Sequence, residues 1–225
     1  SHAQDVAAEL AAGATPSLDT GVETQVLGPD VDDVAPGSEQ PLLDVAERLF
    51  AMNGLDKVSI REIIRASGQS NLSAAHYHFG SREALVAAVI DRRMRFINVL
   101  RDRRLDELEA SGGDGSVYRV VMTMVGVLAE VVKTMPWGPD YVRLLAQALF
   151  SPQLHIREMI DPQALGSYRR FKGMLRHLLP DLPARVFNDR FAVLESETAY
   201  SIARWIQSNG PGRASRTRSE DTRNG

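Results

Sequence analysis

Two short helices forced into close succession by a glycine turn constrain this chain more than any other feature. Ser59 precedes Ile60, Ile63 and Ile64 at helical spacing, with Glu62 three residues after the serine. A serine followed at that offset by a glutamate is a capping box, which satisfies backbone donors at a helix start. The segment stops at Ser67-Gly68, and Gly68-Gln69-Ser70 leads into a further short helix from Asn71 to Phe79. Upstream, Leu42, Leu43, Ala46, Leu49 and Phe50 keep the same period, and Asn53-Gly54 carries a helix stop signal. Such an arrangement makes a helix-turn-helix unit, with the first helix completing its core.

The Asn71–Phe79 helix has an unusual outer face. At 100° per residue Leu72, Ala75 and Phe79 fall together and face inward. Ser73, Ala74 and Tyr77 lie opposite, flanked by Asn71 and His78 on one side and His76 on the other. A solvated helix carries lysine and glutamate at such positions, whereas these residues are small or aromatic and none is charged. Short side chains let a backbone approach base edges, where asparagine pairs with adenine and alanine touches a thymine methyl. Ring hydroxyls and imidazoles bond phosphate oxygens, which fixes register without reading sequence. A connecting helix packed elsewhere on the protein is the competing reading of these residues.

With these motifs in view, the chain resembles the tetracycline-repressor (TetR) family of bacterial transcription regulators. The residues that carry the likeness are Ala46, Leu49-Phe50, Gly54, Ser59-Ile60-Arg61-Glu62-Ile63, Gly68 and Tyr77-His78-Phe79-Gly80-Ser81-Arg82-Glu83-Ala84-Leu85. The pattern departs from many members at Gln69, where valine is common, and at His76, where tyrosine is common. The resemblance implies an all-α protein, with an N-terminal three-helix DNA-binding domain and a C-terminal helical domain for ligand binding and dimerisation. It further implies a repressor that binds palindromic operator DNA as a homodimer and is released by a small-molecule effector. Ser59, Arg61, His76, Tyr77 and Arg82 are then the phosphate contacts, and Asn71, Ser73, Ala74 and His78 face the bases.

Charge and composition divide the chain. Residues 1–40 hold eight acidic side chains and no lysine or arginine, so the net charge of −3 originates there and the remainder is mildly basic. DNA affinity therefore has to come from local placement rather than bulk charge. Rich in Ala, Gly, Pro and Asp and lacking aromatics, residues 1–40 read as a disordered acidic tail. Residues 41–86 form the helix-turn-helix domain, 87–208 the effector and dimerisation domain, and 209–225 a second disordered tail. The absence of cysteine, of a membrane-length apolar run and of a signal peptide suits a cytoplasmic protein.

Beyond Leu85 the periodicity is helical throughout. A long helix runs from Ser81 to about Ala110, and a more apolar one follows from Val117 to Met135. Pro136 and Pro139 bracket a turn before a helix over Tyr141–Phe150. A still shorter element covers 154–160, one helix starts at Asp161-Pro162, and the last runs from Pro183 to about Gln207. In the last two helices, Tyr168, Phe171, Leu175 and Leu178 form one stripe and Phe187, Phe191, Leu194, Thr198, Ile202 and Trp205 another. Either stripe suits a monomer's inward face. The family resemblance assigns them to a dimer interface, a four-helix bundle that matches a palindromic site. Met122, Met124, Val125, Trp137, Tyr141, Leu144, Leu145 and Phe150 offer flexible and aromatic surface for an effector pocket, with ordinary core packing as the other reading.

Other functions find less support in the residues. His76 and His78 are two apart and do not face one another on a helix, and no zinc-protease, phosphate-loop or nucleophile-elbow motif occurs. No enzyme, metal or cofactor is expected. The alternative to a DNA-binding regulator is a helical partner-binding protein, which leaves the uncharged face of Asn71–His78 unexplained.

Overall fold

Serine oxygens fix the helix starts in the computed structural model, which describes residues 40–68, 79, 81–112 and 114–209. Ser59 Oγ accepts the Glu62 amide at 3.2 Å, Ser81 Oγ the Ala84 amide at 3.0 Å, and Ser116 Oγ the Arg119 amide at 3.4 Å. Each satisfies a donor that the first helical turn leaves without a partner. The helices are α1 (Gln40–Asn53), α2 (Ile60–Ala66), α3 (Arg82–Ala110) and α4 (Val117–Thr134). They continue as α5 (Gly138–Phe150), α6 (Ile156–Met159), α7 (Gly166–Leu178) and α8 (Ala184–Asn209), with a 3-10 turn at Pro162–Leu165. The expected all-helical class is found, and no helix among the described residues is long and apolar enough to cross a membrane.

Some boundaries differ from the periodicity. The fifth helix begins at Gly138 rather than Tyr141, because Pro139 lies inside its first turn and not in a preceding loop. Proline is tolerated there, since its missing N–H would have had no intrahelical acceptor. Gly138 is also where α4 and α5 touch: a Cβ at this position would collide with the Val131 carbonyl. Asp161 starts only the 3-10 turn, accepting the Gln163 amide at 2.9 Å, and α7 follows from Gly166.

One apolar core joins the helix-turn-helix segment to the rest of the chain. Phe50 of α1, Ile63 of α2, Val89 and Ile90 of α3, and Tyr141 and Leu144 of α5 are all fully buried within it. Position 86/87, the expected domain boundary, falls inside α3, where Val86 and Ala87 are both buried in that core. A second cluster lies toward the far end of α3, formed by Leu105 and Leu108 with Val120, Met124, Phe171, Leu175, Phe187 and Phe191. The long α3 helix therefore spans both.

A buried ion pair reinforces the first core. Glu47 of α1 and Arg93 of α3 are only 2% and 7% exposed. Arg93 donates to the Glu47 carboxylate from Nε at 3.0 Å and from Nη2 at 2.7 Å, and its guanidinium lies 4.2 Å from the Trp137 ring centroid. Burial pushes the Glu47 carboxyl up, against the opposing pull of Arg93 and Arg92. Removing one partner of such a pair strands the other charge, whereas replacing both with apolar groups is often neutral. Glu47→Ala is accordingly expected to lower unfolding stability by ~3 kcal/mol in urea denaturation. The double variant Glu47→Leu/Arg93→Met should recover most of that loss.

Candidate DNA-contact face and regulatory pocket

The turn after α2 rests on Gly68, whose φ of +72° lies in the left-handed region where a side chain is strained. Its amide donates to the Arg65 carbonyl at 3.3 Å, closing the helix. Asn71, Ser73, Ala74, His76, Tyr77 and His78 lie outside the described residues, as do residues 1–39 and 210–225, whereas Gln40 and Asn209, expected in the tails, belong to α1 and α8. Of the expected DNA contacts, Ser59 and Arg61 are exposed at the start of α2, with Arg65 one turn further on, also exposed. Ser59 uses an oxygen lone pair on the Glu62 amide, which leaves its hydroxyl proton available. Arg82, at the first turn of α3, makes two loose ion pairs, to Asp56 at 3.6 Å and Glu83 at 3.5 Å. The Glu83 carboxyl is held down chiefly by its own backbone amide and by Ser81.

A pocket opens between α3, α4, α5, α7 and α8, with a cavity of about 140 Å³. Four of the expected lining residues are there: Met124, Val125, Tyr141 and Leu145. The other four lie elsewhere. Leu144 is fully buried in the first core, and Trp137 packs edge-on against Phe96 with ring centroids 5.5 Å apart. Met122 is half-buried away from the lining, and Phe150 is exposed, its ring 5.7 Å from that of Tyr200.

The stripes expected to pair two copies face inward in this chain. Phe171, Leu175, Phe187 and Phe191 are buried in the second core, with Tyr168, Leu178 and Leu194 packed against it. Thr198 lines the pocket and Ile202 packs on the first core, leaving Trp205, 38% exposed, as the outward member. Tyr168, Phe171, Phe191 and Leu194 also line the pocket. On the outer side of α8, Val193 and Tyr200 are 60% and 45% exposed.

Sequence reasoning missed the polar half of the pocket, comprising Arg101, Arg157 and Glu195. Arg157 Nη2 lies 2.6 Å from Glu195 Oε2, which also accepts the Tyr168 hydroxyl at 3.1 Å. Burial, followed by the Glu195 charge, pushes the Tyr168 phenol up. Arg101 sits in a charged run that reads as solvated, yet it occupies the same helical row as Ile97, Leu105 and Leu108. A charged residue in an apolar row was the available signal.

One side chain ties the pocket wall to the helix-turn-helix segment. Tyr141, Leu145 and Leu149 of α5 face the pocket, while Gln147 reaches α1. Its Oε1 accepts the Leu55 amide at 3.1 Å, and its Nε2 donates to the Phe50 and Ala51 carbonyls at 3.3 and 3.4 Å. The Leu55 amide and the Ala51 carbonyl are groups that the end of a helix leaves over, while the Phe50 carbonyl also accepts the Gly54 amide at 3.0 Å.

Comparison with known proteins agrees with this arrangement. Residues 42–89 match the family model of bacterial regulatory proteins of the tetR family, and residues 123–224 match the tetracyclin repressor-like C-terminal domain. The HTH-type transcriptional regulator AcrR of Shigella flexneri is 28% identical over 171 residues, covering 70% of this chain and 72% of that protein.

If Gln147 is replaced by leucine, the Leu55 amide and the Ala51 carbonyl lose this partner, while the Phe50 carbonyl keeps the Gly54 amide at 3.0 Å. A cost of about 1–3 kcal/mol follows for the buried part of that loss. Amide exchange at Leu55 should accelerate in Gln147→Leu while the helical circular dichroism is unchanged; an unaltered Leu55 rate would refute the tether.

Proposed function

The chain belongs to the TetR family of transcriptional regulators, and from that premise we propose that it is a repressor which binds operator DNA as a homodimer and is released by a small molecule. The observation that carries this reading is the order of the two matched segments, 42–89 and 123–224, and the single core shared by their helices. A change in the pocket wall can reach α1 through packed side chains and Gln147 without crossing a flexible joint.

At the DNA, Ser59, Arg61 and Tyr77 hold phosphates, with His76 and Arg82 adding to them. Arg82 exchanges its loose pairs with Asp56 and Glu83 for a phosphate oxygen. Asn71, Ser73, Ala74 and His78 meet base edges in the major groove. Domain limits of 41–86 and 87–208 describe the division of labour between reading and regulation, with residues 1–40 and 209–225 as tails.

Two copies pair through α7 and α8. Since the inner stripes of these helices support the chain's own core, the pairing surface is built from the outward side of α8, including Val193, Tyr200 and Trp205. A two-fold pair doubles the length of DNA that is read and matches a palindrome. An effector must bind the DNA-incompetent spacing more tightly than the competent one, with a typical coupling of about 1–3 kcal/mol.

The two kinds of DNA contact separate experimentally on duplex recovered by selection from genomic fragments. Arg61→Ala should weaken specific and random DNA alike and reduce the salt slope by about one. Asn71→Ala should relax preference at one base position by ~1–3 kcal/mol; equal loss on every sequence would remove it from the base contacts. Light scattering on Val193→Glu/Tyr200→Glu should give a monomer with weakened operator affinity. A variant that remains dimeric would place the interface elsewhere.

A further inference from the structure

A positive charge is buried in the pocket with no ion-pair partner among the described residues. Arg101 is 8% exposed, and its one hydrogen bond among the described residues runs from Nη1 to Asn98 Oδ1 at 3.3 Å. Its Nε has no partner, and the guanidinium makes no ion pair there. Tyr141, across the same cavity lining, is fully buried and its hydroxyl is also without a partner. Burial lowers the proton affinity of Arg101 and pushes the Tyr141 phenol up to about 12, so Tyr141 is a hydrogen-bond donor at neutral pH. An arginine in a protein keeps its proton, so it cannot escape the cost of burial by neutralisation.

The pocket's own carboxylate, Glu195, favours this charge through space but makes no ion pair with it. Glu195 Oε2 is engaged by Arg157 Nη2 and by the Tyr168 hydroxyl. The rest of the lining, including Met124, Leu128, Phe171 and Phe191, is apolar. We propose that the pocket takes an amphipathic carboxylate, its acid group seated on the Nε–Nη2 edge of Arg101 and the Tyr141 hydroxyl and its apolar body on the methionine and aromatic wall. A guanidinium edge offers two parallel donors at the spacing of a carboxylate's oxygens. An apolar ligand would leave Arg101 unpaired, and a cation would be repelled by it. A cavity of about 140 Å³ compares with the roughly 150 Å³ that accommodates benzene, so an aryl or short alkyl acid is the size class.

This assignment deepens the effector reading and rests on it for the consequence at DNA, while the binding itself is measured without DNA. Calorimetry on the full chain compares benzoate, benzyl alcohol and benzylamine, three near-isosteric probes of the size the cavity admits. The acid should bind at least about tenfold more tightly than the alcohol, the scale of one charge-assisted contact, and the amine should not bind. Arg101→Met should erase the preference for the acid, and Tyr141→Phe should weaken acid binding several-fold. Ligand-free Arg101→Met should also melt higher than wild type, because an uncompensated charge has left the interior. If Arg101→Met does not fold, Arg101→Lys retains the charge without the planar edge and should lose part of the preference. Equal affinity for acid and alcohol, a preference undiminished in either Arg101 variant, or no acid binding at millimolar concentration would each overturn the assignment. Acid binding that depends on Arg101 but leaves operator DNA bound would instead defeat the release mechanism and leave the ligand assignment standing.

Discussion

The contact between Glu47 and Arg93 is the constraint on which much of the remaining structure depends. Charges buried to this degree are tolerated only when paired with good geometry. Arg93 satisfies that by bonding Glu47 through Nε and Nη2 while resting on the Trp137 ring. Three helices are thereby fixed relative to one another: α1 of the helix-turn-helix segment, α3, and α5 through Trp137, the residue that immediately precedes it. The apolar packing of Phe50, Val89 and Tyr141 is non-directional, whereas this pair specifies the register in which those helices meet.

That register gives α5 two jobs. Its pocket side carries Tyr141, Leu145 and Leu149, and Gln147 extends from it to the end of α1. Because the interior is close-packed, a displacement of the pocket wall cannot be absorbed by empty space on the other side. The helix start at Gly138, where a side chain would strike α4, holds α5 close to its neighbour. A regulator needs such a stiff connection, since binding energy in one site alters the other only through an element whose position both sites bias.

The pocket departs from an ordinary protein interior in its polar groups. Most buried polar groups find partners, yet Arg101 Nε and the Tyr141 hydroxyl do not, and both border the cavity. Nearby, Glu195, Arg157 and Tyr168 satisfy one another. The contrast between a completed polar cluster and an incomplete one gives the cavity chemical direction as well as shape.

Much of the fold was legible in the residues because its signals are local. Ser59 with Glu62, Ser81, and the glycines at 54 and 68 act on groups within a few positions, so their effect is readable without knowing the rest of the molecule. The same holds for the apolar rows of α1 and α3, and for the family motifs around them. What a row faces is a different matter. Tyr168, Phe171, Phe191 and Leu194 had the right spacing for a buried stripe, but whether a second copy or the chain's own α3 and α4 covered it was not written in that spacing. The surroundings of Arg101 are likewise supplied by helices far away in sequence. The sequence alone thus determined where the helices bounded by serine caps and glycine stops begin and end, and which faces are apolar. Only the tertiary structure decided their partners, because burial and electrostatic pairing are set by atoms that local order does not bring together.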